Sequence, residues 1–551
     1  MFPSAVLSAV AHAAIPSDRV ASLPGWPGEL PSKHYSGLIP VGNKTGSPGH
    51  LHYWLIESER STQATDPLVV WYNGGPGSSS LIGLLTENGQ LQLNDASLNV
   101  TKGSPPGLFY NPHSWSTVAN VLYLEQPKGV GFSYCDDGTD GDDAAAKCVN
   151  TDESTAIDGH EFLVNWFKAF PEYASNDFFI TGESYAGLYI PMLMDEIDTH
   201  GDIPNFKGAM IGNGCWGSDC FYGMSEPEID YHIFQGHAMI PYPLKLDIDT
   251  TCTNFESPSA ACAKLLEEAE NLPGAFNVYN IYDVCNGDSL AKDPDALAAA
   301  LREANATTRH GAIRAKLRES SVTVDGRAAA LRPHPALSGA LNDFACGGQN
   351  AMDVWLGLDA VQKALHVNGH PRNSMRYDKT AGDITSTYVK LMKKYQLLIY
   401  SGDVDACVPY WGTEKFTRSI GGVAKKAWHA WHSNSAEDKG SVVAGYALAY
   451  EDFQVVTVKG AGHMVPTFKV RIPDAALTRA RPVARATYLA FPCALRTRAL
   501  TPSRLFLPPL ARRTLRFVVL RYSAARVCAQ PLQEVPCWRR ILSEMVQHVL
   551  V

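Results

Sequence analysis

The chain runs to 551 residues, 45% hydrophobic and 19% charged, with a formal net charge of −9 at pH 7. A chain of this size and composition folds as one large domain with insertions, or as two domains. The negative balance removes any electrostatic reason to expect a nucleic-acid partner, and no stretch is long and apolar enough to span a bilayer.

Residues 1–14 are mildly apolar and end in Ala11-His12-Ala13, which reads as a weak signal peptide, interrupted by Pro3 and lacking a basic start. After a turn-rich entry over 23–37, strands are expected at 51–56 and at Leu68–Tyr72, the second apolar throughout as a buried strand would be. It runs into Asn73-Gly74-Gly75-Pro76-Gly77-Ser78-Ser79-Ser80. Glycines at the end of a strand let backbone N–H groups approach a ligand closely. With no Walker lysine behind it, this loop reads as an oxyanion hole and not as a phosphate cradle. A further buried strand is expected at 118–124. Helical spacing follows over 155–170 (Ile157, Phe162, Leu163, Trp166, Phe167), and Pro171 ends it.

The apolar run Phe178-Phe179-Ile180 then breaks into Thr181-Gly182-Glu183-Ser184-Tyr185-Ala186-Gly187. A short buried strand ending in a small-residue turn around a serine is the nucleophile-elbow pattern, in which the sharp turn lifts the hydroxyl above the sheet. A helix is expected to start near 188, and 206–211 reads as one more strand. From 215 the texture changes to Ala-, Glu- and Arg-rich helical stretches such as 261–269 and 296–304, an inserted, mainly helical cap over 215–350. The sheet resumes over 351–469 with strands at 396–400 and Phe453–Val458. The first leads into Ser401-Gly402-Asp403-Val404-Asp405, the second into Lys459-Gly460-Ala461-Gly462-His463. The order Ser184, Asp405, His463, each just past a strand end, is that of α/β-hydrolases. Alternating strands and helices imply a mostly parallel central sheet covered on both faces. The expected architecture is an α/β-hydrolase core in two parts, 15–214 and 351–469, carrying the cap.

Twelve Cys, several in close pairs, fit an oxidising compartment. The sequons Asn43-Lys44-Thr45, Asn99-Val100-Thr101 and Asn305-Ala306-Thr307 agree with it.

Four loops together, Asn73 to Gly77, Gly182 to Gly187, Gly402 to Asp405 and Gly460 to Pro466, resemble the signature loops of the serine carboxypeptidases. The surrounding text at 51–60 and 120–134 is most similar to the cathepsin A branch of that family, and the resemblance covers about 23–469. It implies a carboxypeptidase active in acid that uses no metal and no cofactor. Ser184 would attack the scissile carbonyl, His463 would act as general base and then acid, and Asp405 would orient the imidazole. Asp405 is preferred to Asp403 because Gly402-x-x-Asp405-x-x-Val408-Pro409 is the usual spacing of the acid loop. Asp403 is left as a loop-capping carboxylate. The N–H groups of Gly75 and Tyr185 would form the oxyanion hole. Asn73, the N–H of Gly74, Glu87 and Glu183 would grip the free carboxylate of the substrate. Two carboxyls meeting a third strongly disfavour full ionisation, so at least one stays protonated in mild acid and donates a hydrogen bond. The implied partners are peptides and proteins with a free C-terminus, and a homodimer is compatible with the resemblance. The implied location is the secretory pathway, ending in a lysosome, in a vacuole or outside the cell.

Two rival functions remain. Acyltransferases related to this family commonly carry Asp in place of Glu183 and Ser in place of Ala186, so Glu183-Ser184-Tyr185-Ala186 argues against acyl transfer. An intact triad argues against a non-catalytic protective partner as the sole role.

The resemblance also exposes departures. Ser78 stands where the family loop has Cys, and the Cys that would pair with it near 373–377 is missing too. Among the cysteines before the tail the suggested pairs are Cys135–Cys148, Cys215–Cys220, Cys252–Cys262 and Cys285–Cys346, with Cys407 as a free thiol beside the site. The acidic loop 136–143 reads as solvated and not as a calcium site. His52, His160, His366 and His432 show no metal-ligand spacing. From Val470 to Val551 the chain carries 14 Arg, no Lys and three acids, where a carboxypeptidase should close with a short amphipathic helix. A frameshift or retained intron is the favoured reading of this tail, with a basic arm for acidic partners or membranes as the alternative.

Overall fold

The computed structural model describes residues 16–136, 148–217, 220–274, 276–282, 350–370, 375–433 and 442–468. Its frame is a sheet of twelve strands among the described residues. From edge to edge these are Arg19–Val20, His34–Val41, Gly49–Ile56, Asn120–Leu124, Leu68–Tyr72, Phe178–Glu183, Phe206–Gly212, Gln396–Gly402, Phe453–Val458, Val442–Ala449 and Lys426–Ser433. Tyr134–Cys135 pairs with the start of Gly49–Ile56. The six strands from Asn120–Leu124 to Phe453–Val458 run parallel. Antiparallel strands close both flanks.

The central strands are buried from end to end, all five residues of Leu68–Tyr72 and all six of Phe178–Glu183. That is why they read as continuous apolar runs: a parallel sheet covered on both faces has no wet side to alternate with. Among the covering elements are the helices Asp152–Ala169 and Ala186–His200. Phe162, Leu163 and Trp166 from the first and Leu188, Ile190 and Leu193 from the second share one core with Val70, Tyr72, Ile180, Ile211 and Ile399. Burying each such large side chain stabilises the fold by roughly 1.5–3 kcal/mol. The first helix starts three residues earlier than its apolar spacing predicts. Thr151 caps it, its hydroxyl accepting from the Ser154 N–H while the Ser154 hydroxyl accepts from the Thr151 N–H.

The flanks are less legible in the sequence. His34–Val41 falls in the stretch expected to be turn-rich, because Gly37 and Pro40 are turn residues. It is nonetheless paired along its length with Gly49–Ile56. Its outer neighbour Arg19–Val20 covers only His34 and Tyr35, so Pro40 lies on an open edge, where a missing N–H costs nothing. The hairpin of Lys426–Ser433 and Val442–Ala449 is likewise unforeseen.

Phe206–Gly212 and Gln396–Gly402 are neighbours in the sheet, yet a long excursion separates them. Its described part contains the helices Glu226–Gly236, Tyr242–Thr251 and Ala260–Asn271, which close on a core of their own built from Phe221, Ile229, Phe234, Leu244 and Ile248. Val404 and Ala406, on the loop after Gln396–Gly402, belong to that second core. The expected helix at 296–304 lies outside the described residues, as do 137–147, the sequon at Asn305 and the tail from 469 onward.

The pairs Cys135–Cys148, Cys215–Cys220 and Cys252–Cys262 are disulfides. Cys285 and Cys346 lie outside the described residues, and the half-buried Cys407 is in no disulfide. Met375, from the stretch where the missing partner of position 78 was expected, packs beside Gly77 in a cluster with Val130, Cys135 and Cys148. An apolar contact occupies the place of the absent bridge.

Candidate active site

Five consecutive strands of the parallel region, Leu68–Tyr72, Phe178–Glu183, Phe206–Gly212, Gln396–Gly402 and Phe453–Val458, end on the same rim of the sheet. In an open parallel sheet that rim is where ligands bind. The loops leaving it carry, in turn, the Gly-rich segment, Ser184, Asn213, Asp405 and His463.

Ser184 sits at φ +62°, the left-handed region that costs a residue with a side chain roughly 1–3 kcal/mol. Neighbouring strands hold it there. Its N–H donates to the Gly212 carbonyl at 3.0 Å, and its own carbonyl accepts from the N–H groups of Gly187 and Cys215, both at 2.9 Å. A Cβ on residue 187 would stand 2.3 Å from the Cys215 carbonyl oxygen. This packing explains why the small residue of the elbow falls at Gly187, one place later than the usual pattern. The Gly-rich loop comes equally close. A Cβ on residue 74 would stand 2.3 Å from the Tyr185 nitrogen, so only glycine lets the loop lie against the elbow. Among the described residues, neither the Gly75 nor the Tyr185 N–H donates to another group.

His463 Nδ1 lies 2.7 Å from Asp405 Oδ2, with side chains 4% and 0% exposed. Asp405 is oriented by three further donors: Asn213 Nδ2 at 2.7 Å and the Val408 N–H at 3.2 Å on Oδ2, and the Cys407 N–H at 2.7 Å on Oδ1. Asp403 instead accepts from the Gly460 N–H at 2.6 Å, joining the two loops. The His463 N–H donates to the Tyr279 carbonyl at 2.7 Å, and the Tyr279 ring stands 5.2 Å from the imidazole. The inserted segment therefore reaches the candidate base directly.

Asn213 is the residue sequence reasoning missed. It sits at φ +39°, donates to Asp405, and accepts the Gly402 N–H at 3.0 Å on Oδ1. An Asn between glycines at a strand end was the available signal, since Asn tolerates left-handed backbone. Nothing in that pattern says which carboxylate it faces.

Asn73 spends both amide protons on carboxyls, donating to Glu87 Oε1 and Glu183 Oε1 at 3.0 Å each. Its orientation is set from the other side, where Oδ1 accepts from Trp71 Nε1 at 2.8 Å and the Gly83 N–H at 3.0 Å. Glu87 ends the π-helical turn Gly83–Glu87, whose wide hydrogen bond runs from the Asn88 N–H to the Gly83 carbonyl. Such turns recur at functional sites. Both glutamates are buried. Burial pushes the Glu87 carboxyl up to about 7. Burial, and then the neighbouring Glu87, hold Glu183 well above the ordinary carboxyl range. Neither Oε2 receives a donor from any other described residue. Two buried carboxyls that share the Asn73 amide strongly disfavour full ionisation of both.

Fold and site together define an α/β-hydrolase whose serine stands on an elbow, with an Asp–His pair and a buried pair of glutamates on the same rim. A family model described as serine carboxypeptidase matches residues 24–479. The chain is 34% identical to serine carboxypeptidase-like 20 of Arabidopsis thaliana, over 84% of this chain and 92% of that one. It is 31% identical to serine carboxypeptidase 1 of Hordeum vulgare, over 82% of this chain and 90% of that one. It is also 31% identical to the lysosomal protective protein of Mus musculus, over 84% of this chain and 92% of that one. A prohormone-processing carboxypeptidase from Saccharomyces cerevisiae superposes with a TM-score of 0.54 at 20% identity, over 81% of this chain and 92% of that one, a match that speaks for the fold. The chain belongs to the serine carboxypeptidase family, and its enzyme class is that of a serine-type carboxypeptidase.

Proposed function

We propose that this protein releases C-terminal residues from peptides in mild acid, with Ser184 as nucleophile, His463 as general base and acid, and Asp405 orienting the imidazole. The observation that carries this reading is the buried Glu87–Glu183 pair held by Asn73 beside the elbow. A pair that keeps a proton there can donate it to a carboxylate, and a free carboxylate is what separates a peptide's C-terminus from the rest of its backbone.

The Ser184 hydroxyl attacks the carbonyl carbon of the last peptide bond as His463 Nε2 takes its proton. The imidazolium so formed is stabilised through Nδ1 by Asp405. Negative charge developing on the carbonyl oxygen is met by the N–H groups of Gly75 and Tyr185, each worth about 3–4 kcal/mol to the transition state. His463 then returns the proton to the leaving amine. Water repeats the sequence on the acyl-enzyme and frees Ser184. Meanwhile the departing residue is held by Asn73, the Gly74 N–H and a proton of the acidic pair. We read residues 215–350 as a cap over this site, an assignment supported by the contact of Tyr279 with His463. The disulfides support a secretory route ending in a lysosome, in a vacuole or outside the cell.

The test is release of the last residue from an N-blocked dipeptide near pH 5, against the same peptide amidated at its C-terminus. Cleavage of the free acid alone, abolished by Ser184→Ala, is expected. Cleavage of esters without cleavage of peptides would replace this reading with acyl transfer.

A further inference from the structure

Away from the rim, one cluster unites groups far apart in sequence. His160 lies on the helix Asp152–Ala169, and Glu196 and His200 lie on the last turns of Ala186–His200. The imidazoles of His160 and His200 stack with centroids 4.5 Å apart and planes at 24°. One ligand atom from each of His160, Glu196 and His200 lies within 4.8 Å of the other two.

Both rings have their tautomer set by an acceptor on the second nitrogen. His160 Nε2 faces Asp202 Oδ1 at 2.8 Å; a carboxylate only accepts, so Nε2 carries the proton and Nδ1 keeps its lone pair. His200 Nδ1 faces the Glu196 carbonyl at 2.9 Å and must donate to it, with the Glu196 carboxylate 3.6 Å from the same nitrogen, so the lone pair is on Nε2 and the Glu196 side chain must swing towards it to share an ion. Metal-ligating imidazoles are held in this way, the second nitrogen donating to a carboxylate or a backbone carbonyl. The His160 lone pair already faces a cation, since Lys44 Nζ stands 3.4 Å from Nδ1.

We propose that His160, His200 and Glu196 bind a divalent transition-metal ion of the zinc type, with the fourth position left to water. Two imidazoles and a carboxylate are a donor set zinc accepts in tetrahedral geometry. Ligation at about 2.1 Å brings donor atoms to roughly 3.4 Å from one another. Glu196 and His200 are 29% and 39% exposed, so side-chain rotation closes that gap, while His160 is anchored by burial. The helix that starts at the serine elbow is about 20 Å long at 1.5 Å per residue, so an ion at its far end clamps two helices together and takes no part in the chemistry.

The test uses the full chain, stripped with EDTA and titrated with zinc chloride near pH 7.5 by calorimetry, with thermal unfolding followed in parallel. One ion per chain and a Tm that rises with zinc are expected. His200→Ala should weaken binding by about tenfold or more while keeping the wild-type Tm in EDTA. Lys44→Gln removes the competing ammonium and should tighten binding severalfold, an effect that a merely structural histidine pair does not produce. Glu196→Gln should weaken binding, and it decides the matter if His200→Ala fails to fold. Equal binding by wild type, His200→Ala and Glu196→Gln, or no binding up to millimolar zinc, overturns the proposal.

Discussion

Asn213 couples two strand ends to the orientation of Asp405, and its worth can be isolated. Asn213→Gly keeps the left-handed backbone accessible while deleting the amide. A hydrogen bond to a charged group contributes about 1.5–3 kcal/mol, so kcat should fall roughly 10- to 100-fold with KM little changed. Steady-state kinetics on the blocked dipeptide measures this, and an unchanged kcat would make Asn213 a bystander. Glu87 sets a second prediction. Its carboxyl is pushed up to about 7 by burial, so the pair begins to ionise as pH rises through neutrality, while Glu183 keeps its proton to higher pH. For a free-acid peptide, kcat/KM should therefore decline on a limb near pH 7, and Glu87→Gln should flatten that limb because an amide does not titrate. A limb that survives in the variant would place its origin elsewhere.

The elements matter through how closely they approach one another. The Gly-rich loop serves the elbow only because residue 74 has no side chain, with a would-be Cβ 2.3 Å from the Tyr185 nitrogen. Gly74→Ala should push the loop away and misplace the Gly75 N–H, cutting kcat about 100-fold or more. The clash is with backbone, so Tm should fall too, but the larger loss is expected in kcat. Gly187→Ala meets the Cys215 carbonyl at the same distance, but inside the packing of the elbow against the next strand. There the cost should fall on stability, about 1–3 kcal/mol, as for other overpacked sites. Denaturant melts of the two variants, beside their kcat values, separate the roles. Equal losses of both quantities in both variants would show that loop and elbow move as one unit.

For the whole molecule, the acidic pair makes stability depend on pH. The Glu87 carboxyl has an ordinary value of 4.5 and is pushed up to about 7 in the fold. Below 4.5 it is protonated in both states and its burial carries no charge. Between 4.5 and 7 the unfolded chain releases a proton that the folded chain keeps, so stability falls as pH rises and levels off above 7. Glu183, raised in the same direction, extends the window upward. The Tm of Glu87→Gln relative to wild type should increase from pH 5 to pH 8, and a constant difference would contradict the raised carboxyl. Much of this molecule is determined by its sequence alone. Buried parallel strands such as Leu68–Tyr72 and Phe453–Val458 read as apolar runs, because both their faces are covered. The Gly-rich loop, the elbow and the loops that carry Asp405 and His463 stand out, because sharp turns at strand ends admit few residue types. The flanks were not legible in the same way, since Pro40 and Gly37 signal turns and only the open edge beside His34–Val41 turns them into strand. Which carboxylate Asn213 faces, how Glu87 meets Glu183, and that His160 stacks on His200 depend on long-range approach. Local composition carries no record of that; only the packing of distant strands and helices decides it.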